Sequence, residues 1–458
     1  MTEIKKTIIW AGAALAVALL AFITKPGTPQ PEAFYDKGET FFPDFQDPNA
    51  AASLEVIEYN EDTGSAVPFK VENKNGVWTI PSHHNYPADG KDRLAKTAAG
   101  VIGITKDDFR SDAVADRIPC GVVDPLDETE ASMAGRGKRV TLRGHNGEVL
   151  ADFIIGKEID GADNYRFVRI PEQKRIYAVK MDIDLSTNFV DWIEKDLLEV
   201  DKEKLNKVVL KDYSINESTG VVDQRDEVVL TKEGSNWKTN KLNADQEMNT
   251  SKVNEFMTAL DGLNIVGVRP KPEGLSASLS KDTGAGVSIT QSDVMSLQSK
   301  GYYFSRDGQL LSNEGELSAS TSDGVEYTLR FGEIVYGSGD DVSAGSAEED
   351  TNSGGPGENR YLFISARFLP GMFPEPAKPA NMEYQTKADS LWGAEDHENK
   401  SLNDEHEKWQ QKVDKGKETA EELNRRFAEW YYVISSDSFG KLHKTRSDFV
   451  KKKEEDKK

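Results

Sequence analysis

The chain has 458 residues, a formal net charge of -22 and a pI near 4.9. That length exceeds what one core usually supports, so two domains are expected, and the acidic balance excludes the basic face that a nucleic-acid backbone requires. A single cysteine, Cys120, excludes an internal disulfide and a thiolate metal cluster; it reads as a small buried hydrophobe.

Residues 1–6 read as a short cytoplasmic N-terminus, and "TIIWAGAALAVALLAFIT", residues 7–24, carries no charge. Eighteen helical residues rise about 27 Å, close to the roughly 30 Å of a hydrocarbon core. A cleaved signal peptide is the alternative, but its apolar region should span only about 7 to 15 residues and end at an A-x-A-like site. The exit "AFITKPG" lacks that site, so 7–24 reads as an uncleaved transmembrane anchor. Lys5 and Lys6 ahead of it place the N-terminus in the cytoplasm and the bulk of the chain in the periplasm of a bacterial inner membrane. Residues 25–52, rich in proline and acids, form a linker whose Phe41, Phe42 and Phe45 are expected to dock on the following domain.

The first α+β module is expected over 53–203. "LEVIEY" (54–59), "FKVEN" (69–73) and "VWTIP" (77–81) alternate apolar and polar residues between turn residues, the pattern of an antiparallel meander. "DGKDRLAKTAAGVIGI" predicts a helix opening near Asp89 with Leu94, Ala98 and Val101 on one face. "KRVTLRG" (138–144) and "VLADFIIG" (149–156) flank "HNGE", whose Asn-Gly pair favours a type I′ hairpin. "YRFVRI" (165–170) and "RIYAVK" (175–180) continue the meander. "LSTNFVDWIEKDLL" (185–198) spaces Phe189, Trp192, Ile193 and Leu197 as on a helix.

The second module, 204–458, repeats this order. "NKVVLKDY" (206–213) and "DEVVLTKEG" (226–234) lead to Trp237 as the earlier strands led to Trp78, and both tryptophans read as core anchors of a repeat. Ala88-Asp89 and Ala244-Asp245 are expected at helix entries, the second ahead of a helix with Val253, Phe256, Met257, Leu260 and Leu263 as its stripe. "DGVEYTLRFGEIV" (323–335) answers "NGEVLADFIIGKEI", with Gly332 answering Gly156, and "NRYLFISA" answers "NYRFVRI". Five elements recurring in one order point to tandem related modules.

Two insertions interrupt the second copy. Residues 337–358 hold six acids among glycines and serines and are expected to be a disordered loop with at most weak calcium binding. Residues 369–428 combine a proline-rich half with a charged helical half, and Leu402, Trp409, Leu423 and Phe427 are candidate partner-docking residues there. The alternative is a surface helix packing on its own domain.

No constellation for catalysis stands out: G-x-S-x-G, P-loop and H-E-x-x-H motifs are missing. His83-His84 reads as a solvated turn pair rather than as metal ligands. No catalytic residue, cofactor or metal is therefore expected. An active site assembled from acids without a linear motif stays open, and two carboxylates converging on a pocket would raise it.

"GVWTIPSHHNYPAD", the amphipathic helix after it, and "VTLRGHNGEVLADFIIGKEIDGADNYRFVRIPEQKRIYAV" resemble the bacterial domain-of-unknown-function family 4340. Gly156-Lys157 and Tyr165 to Arg169 occupy the places of its "IGK" and "YVR" segments, most clearly over 54–200 and more faintly over 206–450. The resemblance implies a single-span exported protein encoded beside gliding-type ABC transporter components, with permease, ATPase and auxiliary membrane proteins as partners. The expected function is thus a non-enzymatic, membrane-anchored accessory protein; the alternative is a binder of cell-envelope polymer, glycan or peptide.

Overall fold

The computed structural model describes residues 36–216, 219, 221–279, 290–306, 308–337, 340–343 and 358–453, with 10, 11, 14, 15 and 17. The expected anchor, 7–24, lies largely outside the described residues, as does most of the 337–358 insertion. Among the described residues, no helix is long and apolar enough to cross a membrane. The architecture is α+β with antiparallel sheets. The chain forms two compact units, one from residues up to Pro68 with Arg93–Leu185, the other from Phe69–Asp92 with Ser186 onward.

The early strands are β1 (Ala51–Asn60), β2 (Ser65–Lys74), β3 (Val77–Ile80) and β4 (Tyr86–Pro87), followed by helix α1 (Lys91–Ile102). Then come β5 (Asp108–Ser111), β6 (Lys138–Gly144), β7 (Val149–Glu158), β8 (Tyr165–Arg169) and β9 (Ile176–Lys180). In the first unit these pair in the order β1-β6-β7-β8-β9-β5. The inward residues of β1, β6 and β7 are Leu54, Val56, Val140, Leu142 and Phe153, all buried. Helix α1 turns Leu94, Ala98 and Val101 inward, as its periodicity predicts. Phe41 and Phe42 pack on Tyr177 and Phe153, which fixes the end of the linker to this sheet.

The second unit holds β10 (Leu205–Asn216), β11 (Val221–Glu233), β12 (Asn236–Thr239), β13 (Gln246–Met248), helix α2 (Thr250–Asp261) and β14 (Gly267–Pro270). It continues with a hairpin of β15 (Tyr302–Phe304) and β16 (Leu310–Ser312), then β17 (Glu316–Thr321), β18 (Val325–Val335) and β19 (Asn359–Phe368). Helix α3 (Ala394–Ala428), β20 (Trp430–Ile434), helix α4 (Ser436–Leu442) and β21 (Val450–Lys452) complete it. Its main sheet runs β12-β11-β10-β17-β18-β19-β20-β14. Residues 69–92 join this unit through an aromatic cluster: Phe69 lies 5.8 Å from Trp192, and Tyr86 lies 5.4 Å from Phe189 and 5.0 Å from Trp430.

The order β10-β17-β18-β19-β20-β14 repeats β1-β6-β7-β8-β9-β5 strand for strand. The match reaches single residues. Ladder register breaks just after Ile155 in β7 and just after Phe331 in β18, at Gly156 and Gly332. A Cβ on Gly156 would lie 2.3 Å from the Cys120 carbonyl, and one on Gly332 would lie 2.2 Å from the Lys300 carbonyl. Both bulges therefore need glycine because another backbone passes over them. Arg166 and Arg360, on the following strands, each donate to the glycine carbonyl, at 3.4 and 3.3 Å.

Three expectations are corrected. Residues 185–198 form only one short turn of 3-10 helix, Phe189–Asp191. Phe189, Trp192, Ile193 and Leu197 are nevertheless buried. The Ser186 hydroxyl is bonded to Asp191 and the Trp192 indole donates to the Ser186 carbonyl, and such local bonds compete with a helix ladder. The "HNGE" turn is not type I′, because Gly147 but not Asn146 has positive φ; the Gly147 N–H closes the turn on Gly144 at 3.0 Å. Ala244-Asp245 does not open α2. Asn249 caps that helix through the Lys252 N–H, and β13, paired with β21, lies in between.

Candidate docking surface

Helix α3 is the longest element, about 52 Å at 1.5 Å per residue, and it occupies the 369–428 insertion. Its composition explains its persistence. Glu395 and Asp396 stand in the first turn and Arg425 and Arg426 in the last, each opposing the helix dipole. The Asp396 carboxylate accepts from the Gly393 N–H at 3.0 Å and pairs with Lys387 at 2.7 Å. The Lys387 ammonium holds the Asp396 carboxyl below the usual carboxylate range, and Asp396 in turn raises Lys387.

The C-terminal half is part of the second unit's core. Val413, Gly416, Ala420, Leu423 and Phe427 recur every three or four residues and are buried. A Cβ on Gly416 would lie 2.5 Å from the Phe368 ring, so the glycine permits close approach to β19. Strand β19 pairs with β20 only over Arg360 to Leu362. Further along, the Asn424 amide takes over: its Oδ1 accepts from the Ala366 N–H at 2.9 Å and its Nδ2 donates to the Ala366 carbonyl at 2.6 Å. The helix thereby covers an open sheet edge. At its end, buried Lys271 donates to the Phe427 carbonyl at 2.9 Å and lies 4.1 Å from the Phe363 ring centre. Burial pushes the Lys271 ammonium well below the ordinary lysine range.

The N-terminal half rests on the proline-rich strap instead. The Trp409 indole donates to the Phe373 carbonyl at 2.9 Å, Asn399 accepts from the Ala380 N–H at 2.8 Å, and Trp392 packs edge-on to Tyr384 at 5.7 Å. His406 stands 3.2 Å from Glu375, whose carboxyl is lowered by Lys378 and then by His406. Of the four docking candidates, Leu423 and Phe427 thus face their own module and offer nothing to a partner; Leu402 and Trp409 stay half-buried. The open apolar groups are Met382, 39% exposed, and Leu391, 74% exposed. Both lie in the strap, where no periodicity marks them.

The remaining sequence candidates are placed as follows. Trp78 and Trp237 are half-buried on four-residue strands, so they are not the core anchors; the deeply buried tryptophans are Trp192 and Trp430. His83 is not solvated but 1% exposed, stacked 4.9 Å from Phe189, with Nδ1 3.0 Å from the Ser82 hydroxyl and Nε2 2.8 Å from Ser343. Burial, with His84 and Arg269 adding repulsion, lowers its pKa to about 4. It is a neutral imidazole bridging two hydroxyls. His84 is exposed with φ of +59°. Among the described residues, no group of three or more His, Cys, Asp or Glu is placed to hold a metal.

A family model described as "Domain of unknown function (DUF4340)" matches residues 78–278, from Trp78 in β3 across both repeats' helices α1 and α2. No curated protein and no solved structure matches the chain.

Proposed function

We propose, from the premise of that family match, that this chain is a non-enzymatic, membrane-anchored accessory protein displayed outside the cytoplasmic membrane as an auxiliary component of an ABC transporter complex. On this reading the stretch 7–24 is the anchor and the two repeats are a duplicated scaffold. The observation that carries it is the strap and helix of 369–428, present between β19 and β20 and replaced between β8 and β9 by a short turn. Its helix is anchored in the core at one end, while the strap at the other exposes Met382 and Leu391. Leu391 and Met382 beside a charged helix offer apolar contacts in polar surroundings, the composition a docking surface for a permease's extracytoplasmic loops would use.

Deleting 369–428 is a poor test, because Leu423 and Phe427 would leave the core with it. The better perturbation is Met382→Glu with Leu391→Glu in the full-length protein, purified from its native membrane in mild detergent and compared with wild type by mass spectrometry. Permease and ATPase subunits should accompany the wild type and fall at least tenfold in the variant, with the thermal melting curve unchanged. Equal recovery with both, or no transporter subunit with either, refutes the proposal.

A further inference from the structure

One face of the second unit's sheet is built in three cross-strand rows. Ladder pairing sets Lys211, Glu316 and Arg330 side by side, then Ser318, Thr328 and Ser365, then Ser320, Glu326 and Arg367. Strand alternation sends Leu317, Ala319, Tyr327 and Leu329 to the opposite, buried face. Apart from Ser320, these row residues line a cavity of about 390 Å³, with Leu310 of β16 at its rim.

The outer rows are charge-paired. Lys211 Nζ lies 2.7 Å from one Glu316 oxygen and Arg330 Nε 3.4 Å from the other. Arg330 also donates to the Leu310 carbonyl at 2.8 Å and to Ser365 Oγ at 3.1 Å. In the other row, Glu326 accepts from Arg367 Nε at 2.7 Å and from the Ser320 hydroxyl at 3.2 Å. The middle row differs: among the described residues, the hydroxyls of Ser318 and Thr328 have no hydrogen-bond partner, although Thr328 is buried.

The geometry points to a binding site for a neutral polyhydroxylated ring, a mono- or disaccharide. Same-face residues of a strand stand about 6.7 Å apart, so the two ionic rows are separated by about 13 Å at the backbone, enough for one ring between them. The volume lies at the small end of ligand pockets, roughly 300 to 1,000 Å³. The two carboxylates face three cations, and all three are engaged with them, Lys211 and Arg330 on Glu316 and Arg367 on Glu326, so an anionic ligand would have to draw a cation away from its carboxylate. A sugar hydroxyl need not: it donates to a spare carboxylate lone pair and accepts from an adjacent Arg, Lys, Ser or Thr. Glu316 and Glu326 also bring two carboxylates to one pocket, but their pairing suits them to holding a ligand.

The inference is independent of docking through the strap. Its test is ligand-observed NMR on the full-length protein in detergent, with glucose, galactose, N-acetylglucosamine and their disaccharides as probes and inorganic phosphate and glycine as charged comparisons. A variant carrying Ser318→Ala and Thr328→Val removes the hydroxyl floor and keeps every ion pair. Saturable binding of at least one neutral sugar, weakened tenfold or more in the variant, is the expected result. Three outcomes overturn it: no sugar bound up to about 20 mM, well beyond millimolar affinity; equal binding by a variant that melts as wild type does; or phosphate or glycine bound in preference. If the double variant melts early, Ser318→Ala alone, at a half-buried position, supplies the comparison.

Discussion

Protonating His83 should destabilise the fold by an amount the structure sets. The ring is 1% exposed, and its pKa falls from 6.5 to about 4 because burial, His84 and Arg269 all disfavour the imidazolium. A depressed histidine pKa means that the unfolded chain binds the proton first. The group is neutral in both states above pH 6.5, so stability is flat there; it declines as pH falls from about 6.5 to 4, and levels off below. The full shift is worth about 3 kcal/mol, and most of that is lost by pH 4.5. Acidic proteins lose stability in this range through their carboxylates as well, so wild type alone cannot isolate the effect. His83→Gln supplies the reference, since it keeps a polar group near Ser343 and cannot titrate. Urea unfolding of both proteins, followed by tryptophan emission, to which buried Trp192 and Trp430 contribute, gives the difference at each pH. That difference should shift by about 2 to 3 kcal/mol in favour of His83→Gln between pH 7.5 and 4.5. A difference that stays constant across the range refutes the assignment of a buried neutral imidazole.

Three further outcomes follow from the same geometry. Gly332→Ala sets a Cβ 2.2 Å from the Lys300 carbonyl and should cost roughly 3 kcal/mol in urea unfolding, whereas Gly371→Ala, with nothing within 4 Å, should cost little. Asn424→Ala leaves the Ala366 N–H and carbonyl without their side-chain partner and should cost about 2 to 3 kcal/mol, with β19 amide exchange accelerating near Ala366. Lys271→Met replaces a buried cation by an apolar chain of similar length. Because the lysine pKa is lowered, the wild type regains stability as pH rises from the folded pKa toward 10.5; the variant should melt no lower than wild type at pH 7, and its relative advantage should shrink by pH 10.

Periodicity carried most of the fold. Strands β1 to β3 and β6 to β9, helix α1 and the stripe of α2 were legible because each buries one face against its own sheet, which is the condition that makes alternation or a 3.6-residue period visible, whereas the short β4 and β5 carry no such pattern. Where burial came from shape rather than period, the sequence misled. Phe189, Trp192 and Leu197 are spaced as on a helix and are buried, yet they descend into the aromatic cluster along an irregular loop held by Ser186 and Asp191. His83 resembled a solvated turn because its neighbour His84 is one. Its burial depends on Phe189 and Ser343, contacts far away in sequence. In α3, the charged helical half was legible but could not say whether its apolar residues faced a partner or the chain's own sheet; Gly416 against Phe368 settles that for the C-terminal half.

The repeat explains why this pocket lies in the second half. Counting back from the bulge glycines, Asp152 of β7 stands where Thr328 stands in β18, and Thr141 opposite it stands where Ser318 does. In the first half this middle row is occupied by charge: Asp152 pairs with Arg139 at 2.7 Å and accepts from Thr141 at 3.2 Å, while Arg139 reaches Asp124 at 3.0 Å. Thr141, Asp152 and Arg139 are thus consumed by one another and by Asp124. In the second half the arginine has moved one strand over, to Arg330, its acidic partner sits opposite at Glu316, and the middle row is left with hydroxyls. Two copies of one backbone thus solve the same problem, a polar face on a one-sided sheet, in two ways. Only the second leaves hydroxyls of its middle row, those of Ser318 and Thr328, without a partner among the described residues. The pocket and the strap with its helix therefore belong to the same repeat.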